Sequence, residues 1–141
     1  MPIDPINPVV LLCVAGMERD GVPEEARQLF QQAWDARRND YEAAIAAHYL
    51  ARHQATPADT FHWNALAVSH AERVTDGRAT EMFPSLYLNL ADSLMALMRF
   101  DEARATIARA REHLATLPSD GYHEFLSHGI DRLQARLGAA T

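Results

Sequence analysis

With 141 residues, 48% of them hydrophobic, the chain is long enough to bury one core without staples and too apolar to remain disordered. Nineteen acidic against thirteen basic side chains leave a formal charge of −6 with no basic run, so nucleic acid is not expected as a partner. Cys13 is the only cysteine, which excludes an internal disulfide and a multi-cysteine zinc site and fits a cytoplasmic protein.

Residues 1–7, with Pro2 and Pro5, read as an irregular leader ahead of Pro8. The N-terminus is acidic, and its apolar run from Val9 to Ala15 is too short to span a bilayer and lacks a signal-peptide charge pattern. No membrane association is expected. From Pro8 to about Arg19 the chain reads as a buried helix, and Gly21 and Pro23 mark a turn. In PEEARQLFQQAWDA, Pro23, Glu24 and Glu25 suit a helix N-terminus, and Ala26, Leu29, Phe30 and Ala33 make an apolar stripe. Asp40 is expected to cap a third helix that ends near Gln54. Thr56, Pro57 and Asp59 open a fourth, with Trp63, Leu66, Ala67, Ala71 and Val74 on one face, and Asp76 and Gly77 stop it. Pro84 starts a fifth helix, whose stripe is Tyr87, Leu90, Ala91, Leu94 and Met98. A sixth follows, capped by Asp101, with Ala103, Ile107, Ala110, Leu114 and Leu117 as its stripe, and Pro118 ends it. The last helix carries Tyr122, Phe125, Leu126, Ile130, Leu133 and Leu137 at three-four spacing and reads as a cap, leaving residues 138–141 as a tail.

The pair of helices between Pro84 and Pro118 resembles a tetratricopeptide repeat. The residues that carry the likeness are Tyr87, Leu90 beside the small Ala91, Leu94, the turn aromatic Phe100, and then Ala103, Ile107 and Ala110. Small residues let two helix backbones approach, and large ones fill the space above and below. The spacing recurs as Ala26, Phe30 and Ala33, and Thr60 stands 34 residues after Ala26, the period of this repeat. Ala103 follows Thr60 by 43 residues, and the extra nine fall in the turn between Val74 and Pro84. The resemblance therefore implies an all-α, right-handed α-α superhelix of seven helices in antiparallel pairs, one domain over residues 8–137.

It also implies a use. In this family the first helix of each pair lines a concave groove that holds an extended peptide or a partner helix. The equivalent positions here include Glu18 and Arg19 on the first helix, Tyr49, Arg52 and His53 on the third, and Asn89, Asp92 and Met95 on the fifth. Some members grip a partner's C-terminal carboxylate with two lysines, two asparagines and an arginine. This chain has no lysine, and its matching positions include Leu11, Ala15, Ala46, Ser85 and Asn89, so binding of chaperone tails is not expected. The leading expectation is a non-enzymatic adaptor for an unidentified protein or peptide.

Two alternatives stand beside it. In the middle repeat His48, Thr60 and Asn64 replace the small and apolar residues of the seam. Either the fourth helix is rotated so that Trp63 and Leu66 fill the seam while His48 and Asn64 pair, or the three form a polar pocket for a ligand or for acid-base chemistry. The apolar stripe of the last helix could instead serve a homodimer. Seven histidines are scattered, with His48 and His53, like His123 and His128, five apart rather than on one helical face, so no metal is expected. No phosphate loop or nucleophile motif is present, and neither a cofactor nor a catalytic residue is assigned.

Overall fold

The computed structural model describes residue 4 and residues 6–140; most of the expected leader lies outside them. The described residues form seven α-helices and no strand. Helix α1, Pro8–Glu18, begins where Asn7 Oδ1 accepts from the amides of Val9 and Val10, with Pro8 in the first turn where a missing N–H costs nothing. Helix α2, Pro23–Asp35, opens on Pro23 with Glu24 and Glu25 at the positive end of its dipole.

Helix α3, Asp40–Leu50, is capped by Asn39, whose side chain accepts from the Glu42 amide at 2.9 Å, not by Asp40 as expected. Asp40 is otherwise engaged: its carboxylate meets His70 Nδ1 at 2.8 Å across thirty residues of sequence. A 3₁₀ turn, Ala51–His53, continues α3. Helix α4, Pro57–Glu72, is capped by Thr56 through the Asp59 amide, as the sequence indicates.

A second 3₁₀ turn, Thr80–Met82, leads into α5, Phe83–Ala96. Helix α6, Phe100–Leu114, starts a residue before the expected cap, so that Asp101 lies inside its first turn and pairs with Arg104. The turn between them has the Schellman form: the Arg99 amide reaches Leu94 O and the Met98 amide reaches Met95 O, each at 2.9 Å. Met98 sits between them at φ 61°, 74% exposed, and is a turn residue rather than part of the α5 stripe. Helix α7, Gly121–Ala140, includes residues 138–140 of the expected tail.

The packing order follows the sequence. The pairs α1/α2, α3/α4 and α5/α6 form hairpins, while α2 packs on α3, α4 on α5 and α6 on α7. Helix α1 also touches α3, and α5 touches α7. Helix α3 is the centre, buried along nearly its whole length because four alanines at positions 43, 44, 46 and 47 let neighbours close on several sides. Phe30, Leu50, Met82, Leu86, Ile107, Ile130 and Leu137 fill the core. In α7 the stripe is buried from Leu126 to Leu137, but Phe125 is exposed.

Candidate functional site

Polar side chains interrupt this core in two places. One is structural. Glu42 on α3 is 1% exposed, and its carboxylate accepts from Asn7 Nδ2, from the Arg38 amide and from the Arg38 guanidinium at 2.8–3.1 Å. The Arg38 bond, ahead of the other partners, holds its carboxyl below the usual range. The cluster ties the start of α1 to the start of α3.

The other interruption is a cleft. Past the middle of α3 the helix turns His48 toward α5, and the 3₁₀ turn carries Arg52 along the same wall. The first turns of α4 add Thr56 and Thr60, and Asn64 follows one helical turn later. Helix α5 supplies Asn89, Asp92 and Ser93 from the opposite side, and Arg136 reaches in from α7. These walls line an open cleft of about 570 Å³, within the range of small-molecule sites.

Asn89 is the hinge of the site. Its Nδ2 donates to His48 Nδ1 at 3.3 Å, and its backbone carbonyl accepts from Asn64 Nδ2 at 3.3 Å. The expected pairing of His48 with Asn64 is therefore indirect, through a residue of the next hairpin. Burial lowers the His48 pKa to about 4, so the ring is neutral at pH 7. With Nδ1 accepting, Nε2 carries the proton.

At the rim each arginine is held by a carboxylate. Arg52 Nη2 meets Asp20 Oδ2 in the α1–α2 turn, and Arg136 Nη1 lies 3.2 Å from Asp92 Oδ1. Asp20 also takes His53 Nε2 at 2.7 Å, and these bonds, Arg52 first, keep its carboxyl below the usual range. Such pairs fix the direction of the guanidinium while leaving most of its five donors free.

Thus all three positions expected in a polar pocket line one cavity, and Arg52, Asn89 and Asp92 from the expected groove line it with them. The remaining groove positions are elsewhere. Tyr49 stacks on Phe30 at 5.4 Å and His53 on the same ring at 6.1 Å, so both face α2 rather than an open groove. Glu18 and Arg19 are exposed at the end of α1, with Arg19 3.8 Å from Glu25. Met95 is half-buried against the core.

Sequence reasoning missed Ser93, Gln54 and Arg136. Ser93 carries a signal, a hydroxyl beside the apolar stripe of α5, 4% exposed. Arg136 carries none, because its place depends on how α7 crosses α5. Trp63 packs edge-on against Trp34 at 5.0 Å, on the α2 side of α4 and away from the cleft. Among the described residues no group of three or more His, Cys, Asp or Glu converges as a metal site. No described helix is long and apolar enough to cross a membrane.

Comparison with protein-family models, with curated proteins and with solved structures found no match to this chain.

Proposed function

We propose that the chain is a non-enzymatic binding protein whose recognition site is the polar cleft between α3, α4, α5 and α7. One observation carries the reading: His48, Asn64 and Ser93, each at least nine-tenths buried, line a cavity of about 570 Å³ in an otherwise alanine- and leucine-rich core. Burying polar groups costs stability unless they are bonded, and a fold that needed only packing would have filled this space with apolar side chains. A binding site explains why it did not.

The tetratricopeptide-like register belongs to the same proposal. It is supported by three hairpins in succession, each second helix packing on the first helix of the next pair. On this reading the occupant, a segment of a partner or a free small molecule, enters between consecutive first helices, where α5 stands off from α3 across the cleft. The setting proposed is the cytoplasm.

Catalysis is not proposed. The His48 ring is hydrogen-bonded to an amide and edge-packed on Tyr49 at 4.9 Å, and the Ser93 and Thr60 hydroxyls of the cleft are bonded to main-chain carbonyls rather than to the ring.

The test is a thermal-shift panel of amino acids, dipeptides, sugars, nucleosides and dicarboxylates, run on the natural protein and on Asn89→Ala. At least one class should raise Tm, and the rise should vanish in a folded Asn89→Ala protein. A rise preserved in the variant, or none with any class, contradicts the assignment.

A further inference from the structure

The chemistry of the occupant can be read from which hydrogen-bonding capacity the cleft has already used. This inference rests on the cleft being the binding site. The Ser93 hydroxyl donates to Leu90 O at 2.8 Å and the Thr60 hydroxyl to Thr56 O at 3.2 Å, so neither proton is left for a ligand. Each amide in the wall has spent an N–H in the same way: Gln54 on Leu50 O at 2.7 Å, Asn64 on Asn89 O, and Asn89 on His48. None of the side-chain oxygens of Ser93, Thr60, Gln54, Asn64 and Asn89 accepts a hydrogen bond from a described protein group. The second N–H of each of these amides and the His48 Nε2–H remain as donors, but the five oxygens, with two lone pairs apiece, outweigh these four hydrogens, so the interior offers more acceptor than donor capacity and suits a group with several N–H donors.

The rim has the opposite character. Arg52 and Arg136 stand there, paired with Asp20 and Asp92, so the charge of the rim is balanced while guanidinium N–H donors stay open to a ligand. A bare cation finds both of these carboxylates already taken by arginine. A ligand with an ammonium at one end and a carboxylate at the other satisfies both regions, because the ammonium supplies three donors to the interior oxygens and the carboxylate accepts from guanidinium at the rim.

We propose that the cleft binds a small zwitterion of the α-amino acid or short-peptide class, with its ammonium directed to Asn64, Asn89 and Ser93 and its carboxylate to Arg52 and Arg136. Such a ligand fits the volume of the open cleft, which exceeds what a single small amino acid fills and admits a dipeptide.

The experiment uses ligand-observed NMR on the full chain with three matched probes: a dipeptide mixture with both ends free, the same mixture N-acetylated, and the same mixture C-amidated, with sorbitol as a non-ionic control. The free mixture should bind, and blocking either end should weaken binding at least tenfold. Arg52→Gln should narrow the difference between free acid and amide. Asn64→Asp, which adds charge without changing size, should strengthen retention of the free amine, and Asn64→Leu should abolish discrimination against the acetylated form. Equal binding of free and blocked mixtures, or binding of sorbitol alone, overturns the zwitterion while leaving the cleft a binding site. The zwitterion also falls if no dipeptide binds while another class on the thermal-shift panel does. If no compound on either panel binds, both readings fall together.

Discussion

His48 shows how one buried side chain couples the cleft to pH. Unfolded, a histidine titrates near 6.5, whereas burial lowers this one to about 4 in the folded protein. Between those values the unfolded chain holds the extra proton. Stability from this group is therefore complete above pH 6.5 and falls as acid is added, by about 1.4 kcal/mol per pH unit and on the order of 3 kcal/mol in all. Urea unfolding at pH 7, 5.5 and 4.5 should show this loss in the natural protein and not in His48→Gln; parallel pH profiles for the two would contradict it.

Glu42 acts with the same sign at lower pH. Its carboxyl is held below the ordinary value chiefly by Arg38, so its contribution is present above about pH 4.3 and disappears as pH falls through the lower folded value. Glu42→Gln places an amide donor among the donors of Asn7, Arg38 and Asn39, and should cost about 2 kcal/mol at pH 7. The cost should shrink toward pH 3, which the same unfolding measurement would register. A cost independent of pH would show that the carboxylate charge is not what the cluster uses.

At the scale of elements, turns and close approaches decide where helices stop and meet. Met98 occupies the left-handed position that glycine takes without strain, so Met98→Gly should raise stability by about 1 kcal/mol, read as a higher urea midpoint. Gly16 is fixed by a different constraint. A Cβ there would fall 2.3 Å from Phe30 Cε1, and Phe30 is fully buried beneath Tyr49 and His53. Gly16→Ala should destabilise by about 2 kcal/mol, and an unchanged midpoint would mean the ring can move aside.

Much of this level was legible in the sequence, because prolines at helix starts, Thr56 at a cap and three-four spacing act locally. What was not legible depended on distant partners. Asp40 looks like a cap, but His70 takes its carboxylate, and Asn39 does the capping. Met98 falls on the helical period of α5, yet the turn to α6 begins one residue before it.

On the scale of the whole molecule the same division holds. The order of helices and the presence of a polar break in the middle pair followed from periodicity and from three residues that violate it. The content of the site did not. The repeat register puts Tyr49 and His53 on an open face, but α3 packs against α1, α2 and α4, and both rings lie against Phe30 of α2. Arg52, Asn89 and Asp92 meet His48, Thr60 and Asn64 only because α5 stands away from α3 while Asn89 bridges them. No linear spacing encodes that separation.

The central claim, that this cleft is where the protein binds, is tested most directly by nitrogen-proton correlation NMR during titration with the strongest compound from the thermal-shift panel. The side-chain amides of Asn64 and Asn89, the ring nitrogens of His48 and the guanidinium of Arg52 are separate reporters in one spectrum. The account predicts that these shift first and saturate together, while the Phe125 surface of α7 and the amides around Glu42 stay in place. Saturable shifts confined to either of those regions, with the cleft unmoved, would contradict it.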